Sequence, residues 1–151
     1  MKKLKENERG ASAVEFAIVL PLLVLILWGI IEFSILLYDK AMITNLSREA
    51  ARAAIVFGNR DWTTAELQAW LRGDEDTNPM KAIRNNYRDA LISFRPGGSE
   101  APVITVWADD DNRVAGSTLA VNVSYQYHWL YFPNWFGAFK QLDAWTAMRR
   151  E

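Results

Sequence analysis

Residues 16–31 read FAIVLPLLVLILWGII and carry no charge. Together with the small residues 11–14 before Glu15 and the run FSILLY after Glu32, this stretch exceeds the ~20 mostly apolar residues a helix needs to cross a bilayer. The apolar pattern then thins without ending. Leu36, Ile43, Leu46, Ala50, Ala53 and Phe57 recur at spacings of three, four or seven, with Asp39, Lys40, Arg48, Glu49 and Arg52 between them. One helix is therefore predicted over residues 11–57, membrane-spanning first and amphipathic afterwards. Pro21 removes a backbone donor and is expected to bend it, a defect that neighbouring helices can absorb. Gly58 and Asn59 supply a stop.

The rest of the chain changes rhythm twice. Thr63, three residues before Glu66, makes a capping box ahead of Leu67, Trp70 and Leu71, and Gly73 closes that helix. Asn78 as cap and Pro79 at the first helical position start another, with Met80, Ile83, Tyr87, Leu91 and Phe94 on one face and RPGG as its stop. From Pro102 the period becomes two: VITVWA, then TLAVNVSYQYHW, where Leu119, Val121, Val123, Tyr125 and Tyr127 alternate with polar or small residues. DDDNRVAG between them reads as a hairpin loop, and LDAWTAMRR alternates well enough to be a third strand. The expected fold class is α+β: a long N-terminal helix, then a head of two helices and a two- or three-stranded antiparallel sheet. The expected divisions are a basic leader over 1–10, the long helix over 11–57, and the head over 58–151.

Composition narrows the functional classes. The net charge is -1 and no basic stripe extends beyond the leader, which argues against a nucleic-acid partner. The chain has no cysteine, which removes disulfides, thiolate metal sites and cysteine catalysis. Lys2, Lys3, Lys5 and Arg9 precede the apolar run, and such residues tend to stay cytoplasmic, placing the head on the far side of the membrane. A cleaved signal peptide also has a basic start and an apolar core, but no small-x-small site follows here, so the segment is expected to remain as an anchor.

Three stretches now bear on identity: RGASAVEFAIVLPLL, GIIEFSILLY and ITNLSREAARAA. Residues 9–54 resemble the amino terminus of TadE-like minor pilins, or pseudopilins, of the tight-adherence (Tad/Flp) pilus system, and AWTAMRRE is similar to the usual ending of that family. The resemblance implies a processing site at which a membrane prepilin peptidase cuts after Gly10 and leaves Ala11 as the new terminus, with Gly10, Glu15 and Phe16 matching the motif. It also implies a bacterial inner-membrane subunit that primes, caps or joins a pilus. Its implied partners are the peptidase, the major pilin, other TadE/TadF-like minor pilins and the assembly platform, with Ala11, Glu15 and Pro21 among the assembly contacts. No cofactor is expected, and an enzyme is disfavoured.

Glu15 raises the sharpest chemical question, because a carboxylate within hydrocarbon costs a few kcal/mol and generally has a functional partner. After cleavage an ammonium on Ala11 would lie one helical turn away, on the same chain or on an axially offset neighbour. The plain alternative is a side chain that snorkels to the headgroups. Elsewhere, Asp109, Asp110 and Asp111 lack the spaced ligands of a calcium loop and read as a solvated tip. His128, the sole histidine, has no second imidazole or thiolate for a transition metal. No P-loop, dinucleotide turn or nucleophile elbow is present. Trp129, Tyr131, Phe132, Trp135 and Phe136 are expected to fold back as core, the alternative being an exposed patch; Trp28 reads as an interfacial aromatic. The rival to a pilus subunit is an unprocessed, permanently anchored binding or sensor protein.

Overall fold

Good helix formers flank the apolar run on both sides, and a single helix, α1 (Lys2–Phe57), carries it. The computed structural model describes residues 2–57, 62–73, 78–92, 100–108, 116–130, 137 and 139–149, with side chains from residue 10 onward. The helix begins at Lys2 rather than at Ala11, because the leader is mostly Lys, Leu, Glu and Arg, which favour helix and outweigh Asn7 and Gly10. Two short helices follow, α2 (Thr64–Arg72) and α3 (Pro79–Ala90), then three strands, β1 (Val103–Ala108), β2 (Thr118–His128) and β3 (Phe139–Arg149). The fold is α+β. Residues Met1–Ser34 form one compact unit and Ile35–Glu151 the other, with α1 contributing to both.

Local chemistry sets the helix ends. Thr63 accepts the Glu66 backbone N–H through Oγ1 at 3.3 Å, while Glu66 Oε2 accepts the Thr63 N–H at 2.7 Å, completing the expected capping box. Gly73 ends α2 in the left-handed region at φ 70°, its N–H donating to the Trp70 carbonyl. Glycine is required there twice over, since a Cβ would lie 2.6 Å from the Lys81 nitrogen. Asn78 caps α3 by accepting the Met80 N–H at 2.8 Å, and its Nδ2 donates back to the Trp70 carbonyl, tying α3 to the end of α2. α3 stops at Ala90, earlier than the apolar spacing predicted. Leu91 turns to extended backbone and stays buried, and the N–H of Ile92 goes to Asp39 instead of to a helical carbonyl.

The strands form one antiparallel sheet in the order β1-β2-β3. β3 starts at Phe139, ahead of the predicted Leu142, because β2 runs to His128 and its last residues pair with 139–142. One face is the core: Ile104 and Val106, then Leu119 to Tyr127 at every second position, then Leu142 and Ala144. Against it lie Ile43, Leu46, Ala50, Ala51 and Ala54 of α1, Leu67 and Leu71 of α2, and Met80 of α3. The alanines let the helix approach closely, and each buried Leu, Ile or Val contributes on the order of 1.5–3 kcal/mol. Two polar contacts fix α1 along β3. Lys40 Nζ donates to the Asp143 carbonyl, and the Ser47 and Thr146 hydroxyls are 2.7 Å apart. Gly58, Asn59, Phe94, the RPGG stop, the Asp109–Asp111 tip, Tyr131, Phe132, Trp135 and Phe136 lie outside the described residues.

Candidate functional site

The five residues singled out for processing and assembly all lie on α1 within the unit that ends at Ser34. Ala11 and Glu15 are four residues apart on a helix, so they share one face at about one turn's separation. Both are exposed, as are Gly10 and Phe16. Around them Val14, Ile18, Val19, Leu22 and Leu23 are also exposed, which leaves Glu15 as a carboxylate on an otherwise apolar surface. Pro21 sits inside the helix, and α1 continues through it.

Gly10 stands in mid-helix with open space where a side chain would be, nothing beyond the helix's own adjacent backbone lying within 4 Å of that position. Glycine at such a position costs roughly 0.5–1 kcal/mol relative to alanine. Nothing in the described packing requires it. Among the described residues α1 is the helix long and apolar enough to cross a membrane, its most apolar 18 residues having a mean hydropathy of 2.7 and none of them being buried.

The head unit buries groups that the sequence pattern had set on the solvent side. Asp39 is 0% exposed, with Oδ1 accepting the Ile92 N–H at 3.0 Å and Oδ2 shielded from water without a hydrogen-bond partner among the described residues. Burial pushes its pKa up to about 6, the Ile92 hydrogen bond opposing part of that rise. The signal was present in the spacing, because Leu36, Asp39, Ile43, Leu46, Ala50 and Ala53 alternate by three and four, and a carboxylate occupies a stripe position. Tyr87 donates to Glu49, and burial followed by that bond raises its pKa above the usual tyrosine value.

No group of three or more His, Asp or Glu side chains suited to a metal ion occurs among the described residues. His128 is half-buried with its ring 5.8 Å from that of Phe139. Of the aromatic cluster, Trp129 is described and packs edge-on against buried Tyr127 with centroids 5.5 Å apart, as a core member would. Residues 10–52 match the family model of TadE-like proteins. The chain matches no curated protein and no solved structure.

Proposed function

From a helix that is TadE-like over residues 10–52, we propose that this protein is a minor pilin, or pseudopilin, of a Tad-type pilus. In this reading it is a structural subunit rather than an enzyme. It is inserted by α1 in a bacterial inner membrane with the leader cytoplasmic, and a prepilin peptidase cuts it between Gly10 and Ala11. It then acts with the major pilin and other minor pilins at the assembly platform.

The observation that carries the proposal is the pairing of an unneeded glycine with an expensive carboxylate five residues later. Gly10 weakens the helix and fits no close approach, while Glu15 places a charge on an apolar surface. Folding of the monomer explains neither. A peptidase that must enter the backbone at residue 10 explains the first, and an ammonium newly made at Ala11 explains the second by supplying a counter-charge one turn away. Pro21 fits the same scheme, since freed backbone groups in a bundle can be satisfied by neighbouring helices.

Amino-terminal sequencing of the membrane-extracted protein from pilus-forming cells tests this. The expected terminus is Ala11, and replacement of Gly10 by Val or Asp should abolish the cut. A chain that still starts at Met1 in cells with working pili would instead favour the permanently anchored binding or sensor protein.

A further inference from the structure

Two polar contacts give the direction of β3 along α1: Lys40 reaches Asp143, and Ser47 reaches Thr146. Seven helical residues and three strand residues each rise ~10 Å, so the strand lies alongside the helix and runs the same way. Phe139 precedes Asp143 by four strand residues, or ~13 Å, whereas Ile35, where α1 enters the head unit, precedes Lys40 by ~7.5 Å of helix. The paired ends of β2 and β3, His128 and Phe139, therefore reach at least to the level at which α1 enters. α3 arrives at this end from the opposite direction. Tyr87 bonds Glu49 and the Ile92 N–H bonds Asp39, so the chain beyond α3 is carried back toward the entry point.

The surface of this end is apolar. Leu37 and Tyr38 of α1, Ile92 beyond α3 and Phe139 at the start of β3 are 40% to 51% exposed. Leu37, Tyr38 and the Asp39 that holds Ile92 all lie within ~6 Å of Ile35 along the helix. Lys140, exposed beside Phe139, adds an ammonium on a long apolar stem. Tyrosine and lysine, each apolar in the body and polar at the tip, are suited to the headgroup level of a bilayer.

The chain itself selects the occupant. The ~20 residues that cross hydrocarbon, centred on the uncharged run 16–31, end at about residue 33, so Leu37 and Tyr38 fall within the next ~5–8 Å, the headgroup layer. α1 continues from that run into the head as one helix, which tethers the entry end to the lipid surface. Apolar groups set at one level around an entering helix also match a plane rather than a groove. We propose that the entry end of the head rests on the membrane that α1 spans, with Leu37, Tyr38, Ile92 and Phe139 reaching the acyl boundary and Lys140 at the lipid phosphates. This placement rests on the membrane insertion of α1 proposed above, and not on cleavage after Gly10 or on entry into a pilus.

The absence of cysteine permits the test, in which single cysteines carry a nitrobenzoxadiazole label on the full chain in phosphatidylcholine vesicles. Leu25→Cys reports the span, Tyr38→Cys and Phe139→Cys the entry end, and Val56→Cys, exposed ~27 Å beyond Tyr38 along α1, the solvent side. Labels at 38 and 139 should be quenched by headgroup nitroxide lipids, and aqueous iodide should quench them at least threefold less steeply than at 56. Replacing Leu37 and Ile92 by Ser in the Phe139→Cys chain should raise iodide quenching at least twofold, and unchanged quenching there overturns the proposal. Labels at 38 and 139 as open to iodide as 56, beside a Leu25 label deep in lipid, overturn it and leave the span standing, whereas a Leu25 label outside lipid overturns both. Protection from iodide without quenching by the nitroxide lipids would mean a protein cover and also overturn it.

Discussion

Asp39, in the middle of α1, accepts the backbone N–H of Ile92 just beyond the end of α3 at 3.0 Å, and so joins two helices whose contacting residues are 53 positions apart. One oxygen is thereby used, while the other is shielded without a partner among the described residues. A single backbone donor does not offset the loss of water around the carboxylate, and the group rises from 3.8 to about 6.

The sign of the pH effect follows. Between pH 4 and 6 the folded chain holds a proton on Asp39 that the unfolded chain has released, so stability falls as pH rises through this window and levels off above it. Asp39→Asn keeps an acceptor for Ile92 and removes the charge. At pH 7 it should stabilise the head by roughly 1–3 kcal/mol and flatten the pH dependence of the melting temperature between 4 and 6. Thermal melts of both proteins at pH 4.5 and 7.5 check this, and equal slopes would refute it.

Ser47 and Thr146 offer a second test. Ser47 Oγ donates to the Thr44 carbonyl at 2.8 Å, which leaves Thr146 as the donor across the 2.7 Å contact between α1 and β3. Thr146→Val removes that donor and should cost roughly 1 kcal/mol; Ser47→Ala should cost roughly 1–2 kcal/mol, because it leaves the Thr146 hydroxyl half-buried without its acceptor. Combined, the two should cost less than their sum. Denaturant titrations of the four proteins measure the coupling, and strict additivity would mean that the bond contributes nothing.

At Gly73 backbone conformation and crowding can be separated. Asn tolerates positive φ better than Ala, yet both introduce a Cβ 2.6 Å from the Lys81 nitrogen. Gly73→Asn should therefore destabilise nearly as strongly as Gly73→Ala, each by roughly 2 kcal/mol or more. A mild Asn variant beside a severe Ala variant would show that φ alone sets the requirement.

Glu15 should matter for assembly more than for insertion. Glu15→Ala removes a charge from an apolar surface, so the membrane-bound fraction should be unchanged or higher; if the chain is cut after Gly10 as proposed, crosslinking to pilin subunits should fall roughly tenfold, because the ammonium then carried by Ala11 loses its counter-charge. Glu15→Gln should behave almost as badly, and Glu15→Asp should keep part of the function. Wild-type crosslinking by a normally processed Glu15→Ala chain would leave snorkelling as the role of the side chain.

Much of the architecture was legible because its causes are local. The apolar run, the three-four spacing after it, the Thr63–Glu66 box, Asn78–Pro79 and the period-two alternation from Leu119 to Tyr127 each act within a few residues, and each appears where the pattern places it. Gly10, Ala11, Glu15 and Phe16 form a short motif that the sequence places on one helix, and they lie on α1; their part in processing belongs to the proposal.

By itself, then, the sequence determined the order of the helices and of the first two strands, which residues of β2 share a face and the apolar character of α1, since periodicity alone decides which side chains share a face. The tertiary structure decided what depends on partners far along the chain. Asp39 became a buried carboxylate only when residue 92 and the core closed over it, and Gly73 became irreplaceable only when Lys81 came to lie against it. Trp107 and Trp145 became neighbours only when β1 and β3 took opposite sides of β2 in one register. Packing and register are set by contacts tens of residues apart, and no local spacing encodes them.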